Sequence, residues 1–300
     1  IILFVMLWSC KTDSSSATPE EEASAPARPL SVPSFDRDSA YSYVEKQLAF
    51  GPRVPNTEAH RATRAWLVEQ FQGFGAEVIQ QDFQAETFYG ETLDGTNIIA
   101  QFNPQAGKRI LLGAHWDTRY VADSPLSEAG KDQPVPGADD GASGVAVLLE
   151  VARQLHAQPP DIGVDIVLFD AEDQGESGGD NEASWGLGSQ YWARNLHHGG
   201  YDPKYGILVD MVGAKDARFL KEAYSKHFAP ALVDKVWKLA QNMGYGNYFD
   251  SATGGGVTDD HYFVNTIAGI KMINIINQAG SSEGNFGAHW HTQQDDIGII

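Results

Sequence analysis

Carboxylates and imidazoles gather in short clusters along this chain. They are His115-Trp116-Asp117, Asp139-Asp140, Asp170-Ala171-Glu172-Asp173, Asp210, and His289-Trp290-His291-Thr292 followed by Asp295-Asp296. Imidazole nitrogen mixed with carboxylate oxygen is a donor set that suits zinc. Crowded carboxylates that cannot all ionise also supply a general acid or base. The sequence holds no compact His-Glu-x-x-His motif, so a site has to be assembled from distant segments. Any one of the clusters that end an apolar run, taken singly, is more readily read as a strand exit into water, and Asp140 is readable as a plain helix cap.

The elements around the clusters raise the chemical reading. Three apolar runs, 110–114, 164–169 and 207–209, lead directly into His115, Asp170 and Asp210. In an α/β sheet, sites form beyond the carboxyl ends of parallel strands. A glycine-rich turn, 136–144, carries Asp139 and Asp140 and opens a helical pattern over 144–157. A carboxylate at a helix start is favoured by the macrodipole. Elsewhere the pattern predicts a helix over 40–49 capped by Ser39, and another from Thr57 to about 72 facing inward with Trp66, Leu67 and Phe71. Strands are expected at 77–84, 96–102 and 270–276, and helices at 187–196 and 229–243, the last turning Leu232, Val236 and Leu239 inward. Strands alternating with helices imply a largely parallel sheet covered on both faces.

With 300 residues, 42% of them hydrophobic, the chain can bury one large core. A net charge of −19 excludes the basic footprint of a nucleic-acid binder. It suits substrates with a free amine, or serves solubility alone. Cys10 is the single cysteine, so no intrachain disulfide forms. The apolar run before it is too short to span a bilayer, and residues 1–10 read as a signal-peptide remnant ending in a lipoprotein box, Leu7-Trp8-Ser9-Cys10. A frayed apolar end with a chance cysteine is the alternative. Residues 11–35 are rich in Ser, Glu, Ala and Pro and read as a flexible tether. The expectation is a bacterial lipoprotein, held at the periplasmic or outer face through Cys10, with a catalytic domain over 36–300.

From about residue 36 onward, the ordered set His115-Trp116-Asp117, Asp139-Asp140, Asp170-Ala171-Glu172-Asp173, Asp210, Asp259-Asp260-His261 and Trp290-His291-Thr292 resembles the zinc aminopeptidase and glutaminyl cyclase superfamily. The resemblance implies a three-layer α/β/α fold with a central mixed, mostly parallel sheet. In the aminopeptidase branch, two zinc ions would be held by His115, Asp140, Asp173, Asp210 and His291. In the cyclase branch, one zinc would be held by Asp140, Asp173 and His291, and the remaining carboxylates would form a hydrogen-bonded network. Trp290 before His291, the Asp259-Asp260-His261 segment, and Trp185 ahead of Gly188-Ser189 favour the cyclase branch. Asp173 stands where many relatives carry Glu, and Asn274 where some animal cyclases carry His; both point to a bacterial type.

Under this resemblance Glu172 is the proton-shuttling base, and Asp210 and Asp259 hold the carboxylate network. Trp185 and Trp290 wall the pocket. The substrate is a peptide or protein amino terminus, and the reaction converts N-terminal glutamine to pyroglutamate. A two-zinc aminopeptidase is the main alternative, with His115 and Asp210 as second-metal ligands, and a non-catalytic surface binding domain a remote one. A monomer is expected, with membrane contact only through the lipid, and a further helix beyond residue 300.

Overall fold

The structure is a computed structural model that describes Ile1, Pro33–Gln278 and Phe286–Ile300. Cys10, its apolar run and most of the expected tether lie outside the described residues.

The compact unit runs from Ser34 to Ile300. Helix α1 (Arg37–Phe50) starts earlier than Ser39 predicts, because the Asp36 carboxylate accepts the N–H groups of Asp38 and Ser39 and is the true cap. Ser39 Oγ instead donates to that same carboxylate. Helix α2 (Glu58–Gly73) is capped by Thr57, as the sequence indicates, and buries Leu67 and Phe71.

Strands β1 (Glu77–Glu86), β2 (Thr92–Phe102), β3 (Arg109–His115), β4 (Gly163–Phe169), β5 (Gly206–Asp210) and β8 (Met272–Ile276) form one sheet in the order β1-β2-β4-β3-β5-β8. β3 pairs parallel with both β4 and β5, and β5 pairs parallel with β8. β1 and β2 are antiparallel additions at one edge, so the sheet is mixed. All seven residues of β4 are buried, as a central strand covered on both faces requires.

Alternate residues divide between two cores. Ile98, Ala114, Ile166 and Leu168 pack with α2 and with α3 (Ala142–Ala157) on one face. Ile99, Leu111, Val167, Phe169 and Leu208 pack on the other face with Trp192 of α4 (Leu187–Arg194) and Val264 of α7 (Asp260–Ala268). This is the three-layer arrangement that the family resemblance implies.

Helix α6 (Pro230–Asn242) corrects one expectation. It buries Val233, Trp237 and Ala240 against Ile273, and leaves Leu239 exposed. Leu232 and Val236 do pack half-buried against this core, but the stripe centres on Trp237, which brings a larger apolar surface plus an indole N–H that finds the Phe219 carbonyl at 3.1 Å. The short strands β6 (Phe219–Lys221) and β7 (Phe249–Thr253) and helix α5 (Ala223–Phe228) were not foreseen. β7 is mostly exposed, so its sequence has no buried face to mark it.

β3 is flanked by β4 on one side and β5 on the other, so the chain reverses its direction of sheet growth there. A crevice opens at such a switch point, beyond the strand ends.

Candidate active site

The parallel pairing brings the carboxyl ends of β3, β4 and β5 to one edge of the sheet. β3 ends on His115 and β5 on Asp210, while β4 runs into Asp170, Ala171, Glu172 and Asp173. Three residues beside or within these clusters, Ala171, Met211 and His291, hold left-handed backbone at φ 53°, 45° and 54°. Non-glycine residues rarely adopt that region, and such strain collects at functional sites. The turn carrying Asp139 and Asp140 is pressed in from one side. A Cβ on Gly144 would lie 2.3 Å from the Val209 carbonyl, so only glycine lets α3 start this close to β5. Gly141, at φ 92°, makes the corner that turns Asp140 toward His115.

Asp140 stands between two histidines. His115 Nε2 lies 3.0 Å from Asp140 Oδ1 and 3.1 Å from Asp210 Oδ1. His291 Nε2 lies 3.1 Å from Asp173 Oδ1 and 3.7 Å from Asp140 Oδ2. Two buried groups result, His115/Asp140/Asp210 and Asp140/Asp173/His291, each with candidate donor atoms within 4.8 Å of one another. Two carboxylate oxygens and one imidazole nitrogen are donors that fit zinc, and three protein ligands leave the further position a catalytic ion needs.

Glu172 and Asp259 line the cavity next to these groups, a space of about 660 Å³. Trp185, Trp290, Tyr224 and Phe286 contribute aromatic surface to it. The Trp290 ring stacks on the His291 ring at 3.7 Å, and Trp185 lies roughly parallel to the same ring at 6.2 Å. Asp259 caps α7 and also takes a hydrogen bond from Asn274 Nδ2 at 2.5 Å, so capping and site-lining are combined in one residue. His261 points elsewhere and pairs with Glu222 at 3.0 Å.

Burial raises the Glu172 carboxyl well above the ordinary range, and the nearby Asp259 charge adds to the shift. Burial also raises Asp259, and pushes Asp210 up to about 7 against the pull of His115. Asp140 goes the other way: burial opposes its charge, but hydrogen bonding to His115 prevails and holds its carboxyl low. The cluster thus holds low and high carboxyls side by side, the division of labour that acid–base chemistry uses.

A further set of buried groups fixes these side chains. Asp117 accepts the backbone N–H groups of Glu172 and Asp173 at 2.9 and 3.2 Å, and Gln174 Nε2 at 2.9 Å. Asp295 accepts the N–H groups of Asp139 and Asp140 at 2.7 and 3.1 Å, tying the turn to the segment that carries His291. Asp139 itself takes His289 Nε2 at 3.0 Å and the Gly213 and Ala214 N–H groups, so it holds the turn rather than entering the donor groups. Asp123 Oδ1 accepts from His291 Nδ1 at 3.1 Å. Asp123 and its partner Arg119 escaped the sequence reading. Both lie in the irregular stretch between β3 and α3, where no periodicity or strand end draws attention to them.

Residues 97–300 match the profile of peptidase family M28. The chain is similar to a Zn-dependent exopeptidase of Parabacteroides distasonis, at 46% identity and TM-score 0.87, covering 90% of this chain and 94% of that one. It is similar to a glutaminyl cyclase of Porphyromonas gingivalis, at 50% identity and TM-score 0.85, covering 89% and 92%. A glutaminyl-peptide cyclotransferase of Drosophila melanogaster is 27% identical over 175 residues, 56% of this chain and 46% of that protein. The chain spans about half the length of the first curated relatives it matches.

Proposed function

The chain belongs to peptidase family M28, and from that membership we propose that it is a zinc-dependent glutaminyl-peptide cyclotransferase. The observation that carries this reading is the surround of His291. Trp290 stacks on its ring, Trp185 lies on it at longer range, and Glu172 lines the cavity beside it. Two indoles at the metal side suit a substrate folded back on itself better than an extended peptide running past the ion. The 50% identity with the P. gingivalis glutaminyl cyclase supports the same choice.

In the proposed reaction the α-amine nitrogen of an N-terminal glutamine bonds to its own γ-carbon. The bond from that carbon to the amide nitrogen breaks, and ammonia leaves. Asp140, Asp173 and His291 would hold one zinc ion, which when bound supplies a Lewis acid for the γ-carbonyl oxygen. Glu172 takes a proton from the attacking amine and returns it to the departing nitrogen, so no net proton is consumed. Its raised affinity for a proton fits that shuttle near neutral pH. Asp259 and Asp210 hold the neighbouring carboxyls in a shared protonation state. Trp185 and Trp290 confine the side chain, and confinement is a large share of the barrier in any ring closure. The protein would work as a monomer anchored through lipidated Cys10, at the periplasmic or outer face of a bacterial membrane.

A second reading has its own observation. His115, Asp140 and Asp210 form a second group of possible metal ligands, as a two-zinc aminopeptidase requires. The one-ion reading draws on His115 Nε2 lying within hydrogen-bond distance of both carboxylates, which lets an imidazolium stand where a second ion would. Gln-initiated peptides should become pyroglutamyl peptides of unchanged length, with ammonia released and about one zinc per chain. Release of the first residue from Leu- or Ala-initiated peptides, with about two zinc per chain, would install the aminopeptidase instead. Cys10→Ser should move the protein out of the membrane fraction; if it stays there, the anchor assignment fails.

A further inference from the structure

Arg119 is nearly fully buried, at 1% exposure, and is not among the residues that line the cavity. A guanidinium has five N–H donors in one plane, and here each of the five has an acceptor. Nε and one Nη2 hydrogen take the two oxygens of Asp123. The Nη1 pair takes the carbonyls of Asp173 and Gly175 at 3.0 and 2.9 Å. The remaining Nη2 hydrogen takes Ser177 Oγ at 3.0 Å. The face of the same group lies 4.9 Å from the centroid of the Trp185 ring.

We propose that Arg119 is a positioning residue that sets two walls of the site together, the presentation of His291 and the placement of Trp185. The first link runs through Asp123. Its Oδ1 accepts from Arg119 Nε at 2.9 Å and from His291 Nδ1 at 3.1 Å. Holding the proton on Nδ1 leaves the Nε2 lone pair for Asp140's and Asp173's side of the cavity, and carboxylate partners of this type orient metal-binding histidines. The second link is direct: the guanidinium supports one face of the indole, and its grip on the Asp173 and Gly175 carbonyls fixes the loop the indole packs on. A Cβ on Gly175 would lie 2.1 Å from Trp185, so that loop and ring are already in contact. Lysine, with three donors and no plane, cannot replace this set.

The inference rests on Asp140, Asp173 and His291 being the zinc ligands, but not on which reaction the zinc serves. Its main test therefore needs no substrate. Zinc affinity is measured by competition with a chromophoric chelator on the wild-type protein, Arg119→Lys, Asp123→Asn and the double variant, with thermal unfolding of each as a folding check. Each single change is expected to weaken zinc binding on the order of 10-fold. The double variant is expected to lose less than the two single losses combined, since the part that runs through Asp123 is shared while the Arg119 grip on the Asp173 carbonyl is separate. With zinc saturating, Arg119→Lys should also raise KM for the peptide substrate, as Trp185→Phe is expected to, while Asp123→Asn leaves KM alone. Wild-type zinc affinity in Arg119→Lys, or additive losses in the double variant, overturns the proposal. If Arg119→Lys does not fold, Asp123→Asn decides: a loss on the order of 10-fold sustains the link, and unchanged affinity breaks it.

Discussion

Glu172 is the group on which the proposed proton transfers turn, and its surroundings set its titration. Burial is the larger cause of its raised pKa, and the charge of Asp259 the next. The acid limb of kcat/KM should therefore lie above the ordinary glutamate range. Neutralising the neighbour removes a like charge, which makes the Glu172 anion easier to form. Asp259→Asn is thus expected to move the limb of the remaining activity to lower pH; a limb that stays put or rises would mean Asp259 does not act on Glu172. Glu172→Gln keeps the side chain's shape and removes the shuttle. It should retain zinc while turnover falls roughly 10²- to 10⁴-fold. Measuring metal content and kcat on the same preparation checks both halves. At this scale Asp173 contributes differently from its neighbour, because Asp117 grips both backbone N–H groups and so points one side chain to each task.

Between β6 and α7 the structure depends on Glu222, which precedes α5. Its oxygens accept the N–H groups of Tyr224, Ser225 and Val257, and the buried His261 ring lies 3.0 Å away. Burial opposes the charge, but His261 and these N–H donors prevail, and the carboxyl is lowered to about 2. A depressed carboxyl favours the folded state when ionised. Its contribution, about 3 kcal/mol for a shift of this size, is present above about pH 4.5 and is lost as pH falls toward about 2. Urea unfolding across that window should show the loss in the wild type and a flatter dependence in Glu222→Ala. At neutral pH the same variant should be less stable by about 3–5 kcal/mol, since it strands a buried partner. Loosening here reaches the site, because α7 is capped by Asp259, which lines the cavity.

Over the whole molecule the net charge is −19, and part of it sits where a substrate must arrive. Asp140, Glu172, Asp173, Glu176, Asp180, Glu182, Asp210 and Asp259 all line the cavity, and no Lys or Arg does so among the described residues. Peptides with Lys or Arg after the first glutamine should show lower KM than those with Glu or Asp. The gap should shrink as salt rises from about 10 mM to 0.5 M, because screening shortens the reach of these charges. An equal KM for both series at low salt would remove the charge from any part in recognition. The sequence by itself determined most of the strands, the polar residues that end β3, β4 and β5, and the residue types clustered at 115, 140, 172–173, 210 and 291, because apolar runs and local composition carry these; the roles of those clusters came from the family resemblance. The tertiary structure decided what no local pattern carries. It centred the buried face of α6 on Trp237 and left Leu239 outside, and it brought Asp295 to a turn 155 residues away from it. It set Asp123 against His291 and Arg119 under Trp185. Hydrogen bonds between segments so far apart have no period, and only the closed fold fixes which donor meets which acceptor.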